Sequence, residues 1–182
     1  MLSLLLLLPF LGALLLGLWP GHPAPGLMHK VALVIVGLQV VWSGVVLLAV
    51  DPHQGGMQLQ ESVPWIQGIG LRYSLAIDGL SLPLVLINGA LTLVAVVCTR
   101  DISQRPRVYF ALLLLISGAV NGAFLAQNLL LFFLFYELEL IPLWLLISVW
   151  GGTNRAYAAT KFLVFTATSG MLILGEIGRA HV

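Results

Sequence analysis

Charge is the scarcest commodity in this sequence. Only 8% of the 182 residues are Asp, Glu, Lys or Arg, against roughly 25% in a soluble domain, while 60% are hydrophobic. A net charge of +1 leaves no basic field that would attract a nucleic acid. The one cysteine, Cys98, sits in an apolar run, which excludes an internal disulfide and any cysteine-built metal or iron–sulfur site. The histidines are scattered without a His-x-x-x-His pair, and no glycine-rich phosphate loop follows a strand pattern. A positively charged start is also missing. Met1 to Trp19 is leucine-rich and carries no charged side chain, so it reads as a retained first membrane helix and not as a cleaved secretory signal. What these absences leave is an integral membrane protein with no cofactor site of its own.

Hydropathy divides the chain into six helical spans, at about 1–19, 31–50, 79–99, 108–126, 129–150 and 157–175. The expected fold is therefore an all-α integral membrane protein with the lipid bilayer as its surroundings. Pro20 to Gly26 is a proline- and glycine-rich loop, and 51–73 is the one long polar loop. With six spans, and leaving the end of the chain aside, Lys30, Arg100, Arg105, Arg107, Arg155 and Lys161 fall on one side and Arg72 alone on the other. Positive charge favours the cytoplasmic side, so the N terminus and the 51–73 loop are expected on the periplasmic or lumenal side. The last seven residues, Glu176 to Val182, break the apolar pattern with three polar residues. They resemble the translation of a common short-read sequencing adapter, and 176–182 is expected to be a non-native tail.

The chain is organised around Leu129 to Gly152, long enough to cross a bilayer yet carrying Glu137, Glu139 and Pro142 near its middle. An Asp at a membrane helix centre costs roughly 2.5–3.5 kcal/mol on insertion scales, and a Glu should be comparable. Such groups usually face a bundle interior or a wet cavity, and many mark proton or ion pathways. Pro142 has no N–H, so the carbonyl of Leu138 loses its helical partner and a kink is expected there. Glu137 and Glu139 are two residues apart, about 200° around a helix, so they point to nearly opposite sides and do not share one site. The bland alternative is that both stay protonated and hydrogen-bond neighbouring helices.

The run Phe135-Tyr136-Glu137-Leu138-Glu139-Leu140-Ile141-Pro142, followed by Trp150-Gly151-Gly152, resembles the fifth membrane helix of the antiporter-like subunits of complex I. More narrowly it is similar to the chain 4 type of the cyanobacterial and chloroplast branch. Val63-Pro64-Trp65-Ile66, Ser74 to Leu84 and Tyr157-Ala158-Ala159-Thr160-Lys161-Phe162 agree in order and spacing, covering most of 60–175. Tyr136 departs from the tryptophan usual in the family.

The resemblance implies that Glu137 is the essential proton-transferring glutamate, with Glu139 and Lys161 as further candidates. It also implies a lysine partner on a broken seventh helix, beyond this sequence, so that the chain is expected to be an N-terminal fragment. Lys161 lies about 6 Å inside the sixth span at 1.5 Å per residue. It is placed either to guide protons or to anchor the helix at the cytoplasmic surface. Burial favours the neutral form of a carboxylic acid and an approaching ammonium the charged form. A moving cation would thus switch Glu137 between holding and releasing a proton. By the same resemblance the partners are other membrane subunits of a complex I-like assembly in a cyanobacterial thylakoid or plasma membrane. That whole complex would use NAD(P)H or ferredoxin and a quinone such as plastoquinone, with no redox centre in this chain. The nearest rival is a subunit of a multisubunit Na⁺/H⁺ antiporter, and a membrane scaffold without a transport role is a third reading.

Overall fold

A computed structural model describes residues 1–21, 24–66, 71–99, 102 and 104–180. Its helices are α1 (Leu2–Gly17), α2 (Pro25–Ala49), α3 (Ser81–Cys98), α4 (Pro106–Leu125), α5 (Leu129–Trp150) and α6 (Arg155–Ala180). Among the described residues five of them, α2 to α6, are long and apolar enough to cross a membrane. The first is shorter than the 1–19 span expected: α1 has 16 residues, about 24 Å at 1.5 Å per residue, against a hydrocarbon core of about 30 Å. α2 begins earlier than expected, because Pro25 fits the first helical turn, where no N–H is needed. α6 continues through Glu176 to Ala180 without a break in its backbone, while His181 and Val182 of the expected tail lie outside the described residues.

The expectation of helices alone needs one correction. The segment read as a plain polar loop at 51–73 contains most of an antiparallel hairpin, β1 (Gln58–Ile66) and β2 (Leu71–Ile77), with Glu61 opposite Leu75 and Val63 opposite Tyr73. β1 carries Pro64 and is largely exposed, as an edge strand tolerates. β2 turns Leu71, Leu75 and Ile77 into one apolar cluster with Leu2, Leu5, Val85, Leu125 and Leu131. The strand pattern was hidden because only one of its two members is packed. Residues 67–70, between the strands, lie outside the described set.

The hairpin marks one end of the helix array. The Gln127 N–H donates to the Ser74 carbonyl at 2.9 Å, and Leu75 bridges to Ala126, so the α4–α5 turn extends the sheet by one short pairing. Asn128 then caps α5, its side-chain oxygen accepting from the Leu130 and Leu131 N–H groups at 3.0 and 3.2 Å. Asp78 closes the start of α3 by accepting from the Ser81 and Leu80 N–H groups at 2.7 and 3.1 Å. The bond from the Ser81 N–H, with the others, holds the Asp78 carboxyl below its ordinary range. At the opposite end, Arg107 donates to the Trp19 carbonyl at 2.8 Å and Trp150 Nε1 to the Gln104 carbonyl at 3.0 Å. Tyr109 stacks edge-on against Trp150 there, with ring centres 5.2 Å apart. Lys30, Arg105, Arg107, Arg155 and Lys161 all belong to helix starts at that end, while Arg72 is on the hairpin; Arg100 lies outside the described residues.

Glu61 on β1 supplies the cap that α1 cannot make for itself. Its oxygens accept from the Leu2 N–H at 2.9 Å and the Ser3 N–H at 3.0 Å, and also from the Ser3 hydroxyl and the Met1 ammonium. Tyr73 donates to Ser3 Oγ at 2.9 Å from the facing strand. Burial pushes the Glu61 carboxyl up, but the hydrogen bonds from the ammonium and Ser3 outweigh it and hold it at about 2. Because the folded value lies below the ordinary 4.5, its contribution is complete above that value and is lost as pH falls toward 2. Glu61→Ala should remove a cap worth on the order of 1 kcal/mol. Amide exchange across residues 2–5 should then quicken by about fivefold at pH 7. In the unaltered chain the protection of these amides, corrected for intrinsic exchange, should hold from pH 7 to 5 and decline below; a decline already at pH 6 would contradict the assignment.

Candidate functional site

α5 packs between α4 and α6, and its two faces do different things. Phe135 lies on Gly122 of α4, where the ring occupies the space a Cβ would need, and stacks against Phe10 of α1 at 6.4 Å between ring centres. Glu139, four residues on, shares that α4-facing side of the helix and is half-buried. Glu137 points the other way. Its carboxyl rests against Gly170 of α6, so closely that a Cβ on Gly170 would fall on Oε1. Glycine is needed at 170 for close approach alone.

Glu137 Oε1 is buried and has no hydrogen-bond partner among the described residues. An unsatisfied buried acceptor costs about 1–3 kcal/mol, more if charged. Glu137 stands nine residues into a helix of 22. Pro142 is buried further along α5, and the helix runs through it unbroken to Trp150.

Lys161 is not brought to Glu137. It precedes Gly170 by nine residues on α6, roughly 14 Å along the axis. Its ammonium lies over the rings of Tyr157 and Phe165 on its own helix, at 5.9 and 6.0 Å from their centres. That arrangement is a cation–π clamp near the basic end of the array. The three candidates thus separate: Glu137 toward α6, Glu139 toward α4, Lys161 near the helix start.

A further polar group escaped the sequence reading. Gln39 Nε2 donates to Ser117 Oγ at 2.8 Å, and Asn88 Nδ2 donates to the Ser117 carbonyl at 3.0 Å and to Asn121 Oδ1 at 2.8 Å. These residues link α2, α3 and α4. They share a depth with Glu137, since Gly122 meets Phe135 across the antiparallel α4–α5 pair. The available signal was each residue's isolation: a single amide or hydroxyl in an apolar helix is expensive unless a neighbour answers it.

Residues 126–178, which contain Glu137, Lys161 and Gly170, match the family model described as NADH:quinone oxidoreductase/Mrp antiporter, TM. The chain is 52% identical over 124 residues to an NAD(P)H-quinone oxidoreductase chain 4 of a Synechococcus strain, covering 68% of this chain and 24% of that protein. It is 41% identical over 174 residues to one from Thermosynechococcus vestitus, covering 95% of this chain and 32% of that protein. Its fold matches a chain of respiratory complex I from Thermus thermophilus with a TM-score of 0.82 and 28% identity, over 96% of this chain and 34% of that one. The chain thus spans about a quarter to a third of the length of the proteins it matches. Shared sequence around Glu137 and shared helix arrangement lead to one conclusion: the chain belongs to the NADH:quinone oxidoreductase/Mrp antiporter family of membrane subunits, and within it is of the oxidoreductase chain 4 type.

Proposed function

We propose that this chain forms part of a proton-translocating membrane subunit of an NAD(P)H- or ferredoxin-quinone oxidoreductase, with Glu137 as the group that takes up and releases the proton. The observation that carries this reading is the Glu137 carboxyl at mid-helix, its Oε1 buried against Gly170 and unanswered among the described residues. A proton on that carboxyl makes it neutral and suited to hydrocarbon, whereas a cation brought alongside favours its loss. The electron donor and the quinone would be handled by other subunits, and this chain would contribute proton transfer alone. Other membrane subunits and lipid would cover the exposed apolar faces of α5 and α6. Glu139 and Lys161 play lesser parts in this reading, Glu139 from the α4 side and Lys161 as an anchor at the basic end. The antiporter reading shares the family model, and the identity with oxidoreductase chains weighs against it.

Glu137→Gln in the full-length protein should leave the assembled complex at normal abundance and remove most of this subunit's share of protons moved per electron. Glu137→Asp should retain part of it, and Glu139→Gln should cost less than Glu137→Gln. Proton translocation per electron in isolated membranes separates these outcomes; a Glu137→Gln complex that pumps like wild type would show the carboxylate to be wrongly chosen.

Gly170→Ala should drive the new methyl into the space of Glu137 Oε1, an overpacking worth about 1–3 kcal/mol. Combining it with Glu137→Asp, one methylene shorter, should cost less than the two changes added together. Thermal inactivation of the four complexes in a double-mutant cycle reads this coupling directly, and strict additivity would place the carboxyl elsewhere.

The reading also sets the hairpin and the start of α1 on the lumenal or periplasmic side of a cyanobacterial thylakoid or plasma membrane, following the basic residues at the opposite end. In a Cys98→Ser background, Gln60→Cys on exposed β1 should react with an impermeant maleimide only from that side. Labelling from the cytoplasmic side would invert the orientation.

A further inference from the structure

The polar group that joins α2, α3 and α4 has one donor too many. Asn121 is wholly buried. Its Oδ1 accepts from Asn88 at 2.8 Å, yet its Nδ2 has no partner among the described residues. Exchanging the amide oxygen and nitrogen does not remove the difficulty. It would set Asn121 N–H against the Asn88 Nδ2 donor, which already gives its other hydrogen to the Ser117 carbonyl at 3.0 Å. The site is therefore polar, enclosed and short of one acceptor.

Close by, a cavity of about 230 Å³ opens between the start of α3 and the end of α4, lined by Asp78, Ser81, Leu84, Phe124 and Gln127. It lies at the hairpin end, where Gln127 joins Ser74. Leu84 precedes Asn88 by four residues, and Phe124 follows Asn121 by three, so the lined space ends about one helical turn, ~5–6 Å, from the two asparagines. A single water needs far less room than this cavity offers, and it needs two to four polar partners.

We propose that α3 and α4 form a water inlet: water enters the Asp78–Gln127 cavity from the hairpin side, and one molecule is held as the acceptor of Asn121 Nδ2. The bound water completes the Gln39–Ser117–Asn88–Asn121 network and carries hydration from the aqueous face to the depth of Glu137. Asparagine, serine and glutamine do not titrate, so the site holds water and orients it without itself storing a proton. The inlet is a separate element from the Glu137–Gly170 contact, on a different pair of helices.

Two measurements on the intact membrane complex test this. In a Cys98→Ser background, Asn121→Cys and Leu114→Cys are compared, both replacing fully buried residues of α4. Methyl methanethiosulfonate reacts with a thiolate, which forms where water reaches the sulfur, so Asn121→Cys should be modified at least about tenfold faster. Equal rates overturn the proposal. In the unaltered protein, radiolytic hydroxyl labelling read by mass spectrometry compares Phe124, at the cavity, with Phe110, sealed in the core that α1 to α4 share. Phe124 should be oxidised and Phe110 spared; a protected Phe124 overturns the proposal even if the cysteine variants do not assemble. Neither measurement reads Glu137 or proton pumping, so the inlet and the transport reading can fail separately.

Discussion

Inside a bilayer no polar group can turn to solvent, and that constraint governs the placement of almost every hydrophilic atom in this chain. Helices answer it for the backbone, except at their ends. There the structure uses side chains: Asn128 and Asp78, just ahead of α5 and α3, and for α1 the distant Glu61. The hairpin is where these ends meet, so a polar segment outside the membrane gives order to the apolar helices beneath it. Gln39, Asn88, Ser117 and Asn121 satisfy the same demand at depth by answering one another. Two buried side-chain atoms, Asn121 Nδ2 in that group and Glu137 Oε1 on α5, have no partner among the described residues.

Close approach of helices depends on the residues that give way. Gly122 and Gly170 flank α5 on opposite sides, one receiving the Phe135 ring and the other the Glu137 carboxyl. In membranes such small residues let backbones approach where no hydrophobic driving force draws helices together. Here they also sort two neighbouring side chains: the aromatic ring is wedged toward the interior of this array, and the acid is directed to the α5–α6 seam. The 200° turn between positions 137 and 139 does the same for the two carboxyls.

Much of this was legible in the residues. Five apolar runs of membrane length, the acids at 137 and 139 within one of them, and the one-sided distribution of Lys and Arg are local or compositional signals, and local signals survive in a sequence. The hairpin was not legible, because β1 is exposed and carries Pro64, and the burial of β2 depends on helices that start earlier and end later in the chain. Nor could spacing show that Gly170 and Glu137 meet, since they lie on different helices. The polar network failed to register for the same reason: Gln39 and Ser117 are 78 residues apart, and each alone reads as a tolerated blemish in a span.

The capping of α1 by Glu61 has a consequence for biogenesis. Fifty-nine residues separate Leu2 from the carboxylate that receives its N–H. During synthesis α1 precedes β1, so its opening turn has no carboxylate to answer it until α2 has also been made. Only then can the hairpin lock the start of α1 in place. The registration of α1 thereby follows the synthesis of α2 and β1, and a helix made before them settles after them.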